Sequence, residues 1–464
     1  MSDFASISRR GFLKASAAGL AFGAGFAVAA EKPGIQLVAS HGETRFSSDQ
    51  QNATRVLHYN QSIPGPLLRL PQGRETLIRF ENALDESSVV HWHGLRIDNA
   101  MDGVPGMTQA VVEPGESFDY RLTPPDAGTY WYHTHQRSWE QMALGLAGVL
   151  IVDEDNPPEV DQDLVFAIDD WRLDDGMQVH RGSLGAVHDM AHGGRTGNVI
   201  TVNGRTEYRY AVASGERVRL RMVNIANARV MNLLVGEPQF SVIAVDGQPI
   251  EPYTPDGGRL RLAPGQRVDM IIDMTGDPGA RTRLEVVIGE YAYEVSGFDY
   301  SSQPRREQLL DSPIRLEPNP LQALRLPDEF LHVPMHMEGG AMGRMRGAVL
   351  DGREMDIREL VRNGKAWAIN GIAGLPAEPL FRVERGTAVS LDVDNDNAWP
   401  HAMHIHGHHF IYHKTPQLWR DTALFERGEK GSMRFIADNP GKWLIHCHMV
   451  EHMAGGMSTW FEVT

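Results

Sequence analysis

Four His-x-His pairs stand in this sequence: His91 and His93, His133 and His135, His404 and His406, His446 and His448. Each lies on or just after a strand-like run, such as Tyr130-Trp131-Tyr132 before His133 or Trp443-Leu444-Ile445 before His446. In a strand, residues two apart project to the same side. Each pair therefore aims two imidazoles at one place, and the four pairs supply eight. Buried neutral imidazoles need partners for their ring nitrogens. A shared metal cluster meets that need for all of them at once.

The single cysteine, Cys447, sits between His446 and His448 and so faces the opposite way. His452 follows it by five residues, Met457 by ten, and His401 precedes His404 by three. Two imidazoles, a thiolate and a thioether are the donor set of a blue copper site, trigonal with a weak axial Met. An electron reaching the Cys447 sulfur passes through adjacent backbone to His446 or His448. A cluster of several metal ions can store electrons for a multi-electron acceptor, and the four electrons that dioxygen needs match four coppers. Zinc fits poorly, being redox-inert and normally held by four ligands.

Strands must position these groups. Short β-branched and aromatic runs at 76–80, 117–122, 149–152, 217–223, 267–272 and 283–288 are separated by Gly, Pro, Asn and Asp. They read as strands of β-sandwiches. A glycine turn recurs before strands: Glu113-Pro114-Gly115-Glu116, Ala213-Ser214-Gly215-Glu216, Ala263-Pro264-Gly265-Gln266 and Glu384-Arg385-Gly386-Thr387. Four such turns point to a duplicated all-β domain. Polar, Pro-rich stretches at 153–158 and 317–327 divide the chain into domains at 35–155, 156–320 and 321–464. Two His pairs then belong to the first domain and two to the last, which puts the cluster between them.

Composition narrows the class. At 464 residues, 42% hydrophobic and 22% charged, the chain is a soluble globular protein with material for more than one core. A formal charge of −16 gives no electrostatic reason to bind nucleic acid. One cysteine excludes an intrachain disulfide. Residues 1–30 read as an export signal: Ser8-Arg9-Arg10-Gly11-Phe12-Leu13-Lys14 is a twin-arginine pattern, followed by an Ala/Gly/Phe stretch. The expected destination is the periplasm, reached through the twin-arginine export machinery. No later segment reaches 18 apolar residues, so no membrane anchor is expected after cleavage.

With these motifs, the chain resembles the three-domain multicopper oxidases: laccases, bacterial cuprous oxidases and copper-resistance oxidases. The resemblance rests on His91-Trp92-His93-Gly94, on Tyr132-His133-Thr134-His135, on 401–407 and on His446-Cys447-His448-Met449-Val450-Glu451-His452 with Met457. It implies three cupredoxin-like Greek-key β-sandwich domains and four copper ions. By that resemblance a type 1 copper is held by His401, Cys447 and His452, with Met457 axial. A type 2 copper takes His91 and His404. One type 3 copper takes His93, His133 and His448, and the other His135, His406 and His446. Cys447, His446 and His448 form the electron path, and Asp102 resembles the acid that delivers protons to dioxygen. A copper-free relative of the same fold would have lost ligands, and a copper nitrite reductase is a two-domain protein. With both halves of the cluster in one chain, a monomer is sufficient.

Two features depart from the family pattern. Met453 follows His452 where bacterial relatives often carry a proton-relaying Glu, and Glu451, if helical, points elsewhere. Ala402 follows His401 where Pro is usual.

The electron donor is expected to be Cu(I), with phenolic small molecules and aromatic amines as the alternative. Met335, His336, Met337, Met342 and Met345 gather soft donors in eleven residues. The stretch is glycine-rich and is therefore expected to lie outside the packed core. His188, Asp189, Met190 and His192 form a second small group in the middle domain. An organic donor would need a pocket exposing the edge of His452.

Overall fold

The computed structural model describes residues 34–464 apart from 312–313 and 415–416. The export segment at 1–30 lies outside the described residues. The recurring turns take one conformation. Gly115, Gly215, Gly265 and Gly386 have φ between 81° and 92°. In each turn the residue after the glycine donates its backbone N–H three residues back, at 3.0–3.2 Å. A left-handed third residue is what glycine supplies without steric cost. Each turn then delivers the chain into a strand: Ser117–Leu122, Arg217–Asn224, Arg267–Asp273 and Thr387–Asn395.

The strands form three sheet pairs. In each, an early strand lies parallel to a later one: Ile35–Thr44 beside Thr76–Ala83, Gln162–Trp171 beside Arg217–Asn224, and Leu331–Gly339 beside Thr387–Asn395. The first pair has two four-stranded sheets, and the second and third each pair six strands with five. Each pair encloses its own hydrophobic core, with Phe80 and Trp92 in the first, Phe166 and Met270 in the second, Phe435 and Trp443 in the third. These are three β-rich, cupredoxin-like domains with mixed sheets. Helix content is low; the longest described α-helix, Ile357–Arg362, has six residues. Trp131 and Val149, Ala167 and Val223, and Val450 share one further apolar cluster, where the three domains meet. Among the described residues no helix is long and apolar enough to cross a membrane.

The stretch 335–345 departs from expectation. Met335 and Met337 are fully buried in the core of the last domain, on strand Leu331–Gly339. Met345 is buried in a small separate cluster. Alternation along a strand turns His336, between the two buried methionines, to the other face. Only Met342 is freely exposed, at 76%. The glycines reflect close packing, because a Cβ on Gly340 would stand 2.1 Å from the Trp367 ring.

Candidate metal centre

Two antiparallel ladders present the histidines. His91 lies opposite His133 on strands His91–His93 and Gly128–His133. His404 lies opposite His446, and Met403 opposite Cys447, on strands His401–Ile405 and Gly441–Cys447. Period-two alternation turns Cys447 into the last domain's core beside Met403 and Met457, both fully buried. The backbone N–H of Cys447 donates to the carbonyl of Met457 at 3.1 Å, which ties the two positions together.

His401, Cys447 and His452 form one compact group, with its ligand atoms within 4.8 Å of one another. The Cys447 Sγ stands 3.6 Å from His452 Nδ1, and that nitrogen stands 3.1 Å from His401 Nδ1. The outer edges of both rings face hydrogen-bond acceptors. His452 Nε2 donates to the carbonyl of His192 at 2.7 Å, and His401 Nε2 to Asn397 Oδ1 at 3.1 Å. Both Nδ1 atoms are then bare lone pairs facing each other and the sulfur. Burial pushes the thiol up to about 12 and pulls His452 down to about 4. A neutral group of this kind suits a soft cation, which alone would draw off the thiol proton.

The eight paired histidines form the second group, none more than 8% exposed. His93, His133 and His448 converge, as do His135, His406 and His446, and His91 and His404 meet with His93. His406 Nε2 and His446 Nε2 are 3.1 Å apart, and His448 Nε2 and His133 Nε2 are 3.4 Å apart. Outer ring nitrogens are anchored: His91 Nδ1 on the Asp102 carbonyl (2.7 Å), His404 Nδ1 on the Asp421 carbonyl (2.8 Å), His446 Nδ1 on the Cys447 carbonyl (2.9 Å). His406 Nδ1 donates to the Asp102 carboxylate at 2.8 Å. The inward nitrogens His91 Nε2, His93 Nδ1, His135 Nε2 and His404 Nε2 are buried without any partner. Burial, then the neighbouring imidazoles, holds His93, His135 and His404 well below the usual histidine value, so the rings are neutral. Anchored outside and orphaned inside, they fit a group of metal ions.

The middle domain also reaches both groups, which the spacing of the histidines did not reveal. A Cβ on Gly265 would lie 3.0 Å from His93 Cε1 and 3.1 Å from His448 Cγ. Arg267 is fully buried and grips Asp421 through both terminal nitrogens, at 2.7 and 2.6 Å. Asp421 in turn accepts from His93 Nε2 at 3.1 Å. The turn at 263–266 leads directly into Arg267, but the copy at 213–216 leads likewise into the buried Arg217, so the sequence alone does not single it out.

Over the thiol group, the middle-domain helix Val187–Ala191 forms a cap. Trp367 Nε1 donates to the Met190 carbonyl and Ala341 N to the Ala191 carbonyl, both at 2.6 Å. The cap leaves His452 fully buried. Asp189 is held by Arg172 and Met190 is buried, so His188 and His192, with rings 4.1 Å apart, are the members of that group left at the surface. His192 also packs edge-on to Trp399, whose Nε1 donates to the Ala341 carbonyl. Met335, His336, Met337, Met342 and Met345 are dispersed between core and surface and do not form one ligand group. Glu451 lies on the helix Val450–Ala454 and turns to the middle domain, where it accepts from Asn227 Nδ2 at 2.9 Å.

Three family models, each described as multicopper oxidase, match residues 41–157, 162–282 and 352–464. The chain is 27% identical to Multicopper oxidase MmcO of Mycobacterium tuberculosis, over 98% of this chain and 97% of that protein. It is 36% identical to the crystal structure of Lac15 from a marine microbial metagenome, with a TM-score of 0.74, over 93% of this chain and all of the other. The multi-copper oxidase of Pseudomonas thermotolerans is 27% identical with a TM-score of 0.78, over 93% and 99% of the two chains.

Proposed function

This chain belongs to the multicopper oxidases, enzymes that couple four one-electron oxidations of a donor to the reduction of dioxygen, and on that premise we propose that its donor is Cu(I). The observation that carries this reading is the cap. Because His452 Nε2 is taken by the His192 carbonyl, a phenol cannot hydrogen-bond to that ring. What the surface offers instead is soft or borderline donors: His188, His192 and, next to the hydrogen-bonded Ala341, Met342. Such donors suit a cuprous ion.

In this reading His401, Cys447, His452 and Met457 would hold the type 1 copper. His91 and His404 hold the type 2 copper, and His93, His133, His448 and His135, His406, His446 the two type 3 coppers. Copper held there would supply the one-electron redox chemistry that dioxygen reduction needs. The protein's part is to orient and to supply protons. Where a ring makes an outward N–H bond, as at His91, His93, His133, His404, His406 and His446, that bond fixes the tautomer so that the lone pair faces inward. Asp102 accepts from His406 and lies 3.4 Å from His91 Nδ1, so its carboxylate can hold a proton beside the cluster. Glu451 faces away from that path, and Met453 cannot carry a proton. The same proposal has the protein exported folded by the twin-arginine route to the periplasm, with Greek-key connectivity in each domain, working as a monomer.

Oxygen uptake by the copper-loaded enzyme tests the donor. With Cu(I) and 2,6-dimethoxyphenol compared, kcat/KM is expected to favour Cu(I). Replacing Met342 by Leu and His188 by Gln should lower only the Cu(I) value, by about tenfold, the worth of one ligand contact. If phenol is the better donor and both substitutions leave Cu(I) kinetics unchanged, the enzyme is a laccase.

A further inference from the structure

A cleft of about 360 Å³ opens at the seam between the middle and last domains. It shares no residue with either ligand group or with the cap. Tyr253, Arg259 and Arg261 line it from the middle domain, Arg420 lines it from strand Trp419–Arg420, and Arg267 lies at its inner end. Four guanidinium groups around one cleft are unusual on a chain of formal charge −16.

Their pairing differs. Arg267 is satisfied by Asp421, and Arg261 is ion-paired to Glu426. Arg259 and Arg420 make no ion pair and no side-chain hydrogen bond among the described residues. Arg420 feels the buried Asp246 electrostatically, but Asp246 Oδ2 stays unpartnered. One carboxylate, Asp256, and Gln266 also line it, against the four arginines; the rest is apolar, with Leu260, Leu262 and Val268 beside the half-exposed Tyr253 ring. Guanidinium forks recognise carboxylates in bidentate fashion and stack on planar rings. The volume is at the small end of ligand pockets and well beyond what a single inorganic anion fills.

We propose that this cleft binds a small aromatic carboxylate, its charge taken by Arg259 and Arg420 and its ring by Tyr253 and the apolar floor. The site does not depend on which donor the enzyme oxidises. Because Arg420 immediately precedes Asp421, an occupied cleft touches the chain directly beside the residue that anchors His93 and His404.

Benzoate, which is redox-inert, is the probe. Calorimetric titration of benzoate into the copper-loaded protein should give saturable one-to-one binding. Arg259→Gln with Arg420→Gln should weaken it at least tenfold, about the worth of one charge-assisted hydrogen bond. Tyr253→Ala, at an exposed side chain, should weaken it less, while copper content and Tm stay unchanged. Inorganic phosphate should compete poorly. Absence of saturable benzoate binding, binding that survives the double substitution and Tyr253→Ala, or phosphate competing as strongly as benzoate would each overturn the proposal. Since the readout is binding, a wrong assignment of the electron donor leaves this result untouched.

Discussion

The thiol group and the histidine cluster are held by different balances of packing and hydrogen bonding. His401, Cys447, His452 and Met457 all come from the last domain, and Cys447 and Met457 are members of that domain's hydrophobic core. The eight other histidines come from two domains, and a third domain braces them. They are held by hydrogen bonds to carbonyls and to two carboxylates, Asp102 and Asp421. In the thiol group Cys447 and Met457 are positioned by packing and only His401 and His452 are hydrogen-bonded, whereas the cluster relies on polar anchors. Packing suits a site within a single domain, where close-packed side chains leave little freedom. A site shared across a domain seam has no continuous core to rely on, and directional bonds take over that role.

If this contrast is real, changing an anchor should harm the cluster and spare the thiol group. The largest effect is expected from Asp421→Asn. It leaves Arg267 buried without its main carboxylate and should cost about 3–5 kcal/mol of stability. Thermal unfolding and metal analysis should show copper lost from the cluster while the thiolate absorption persists. Equal loss from both groups would erase the distinction. The converse change is Met403→Ala, opposite Cys447 in the ladder and fully buried. It should cost about 2–4 kcal/mol as a core truncation. Here the thiolate absorption should shift while cluster copper is retained.

The smallest effect probes what the two groups share. His446 in the cluster and His452 in the thiol group are both pulled down to about 4 by burial. Their unfolded value is higher, so the unfolded chain binds more protons and stability falls as pH drops below about 6.5, levelling off near 4. Between pH 7 and pH 6 the loss is about 0.7 kcal/mol per ring in copper-stripped protein. Denaturant titrations at the two pH values should detect it. A copper-stripped protein whose stability does not fall over this interval would show that the rings are not held neutral by burial.

Much of this was legible in one dimension. The His-x-His spacing carries the shared side of a strand, and the Cys447 offset carries the other face, because both follow from period two. The positive-φ turns were legible because glycine is nearly obligatory there. What escaped were contacts without periodicity. The carbonyl of His192 caps His452 through backbone, which no residue type announces. Arg267 and Asp421 are 154 residues apart, and neither is distinctive alone. In the 335–345 stretch glycine marks close packing against Trp367 and not the looseness its composition suggests. Alternation was the better guide, since Met-His-Met along a strand places both thioethers on one face, here the core.

The recurring turn bears finally on how freely the protein can vary. At Gly115 and Gly386 a side chain would meet open space, so replacement there is opposed by backbone strain alone. At Gly265 the same substitution would also press on two imidazoles of the cluster. At Gly215 a Cβ would stand 2.2 Å from the Arg306 carbonyl oxygen, so copies of one local motif have come to tolerate change differently: a library randomised at all four glycines would keep variants at 115 and 386 and lose them at 215, through the backbone, and at 265, through the cluster.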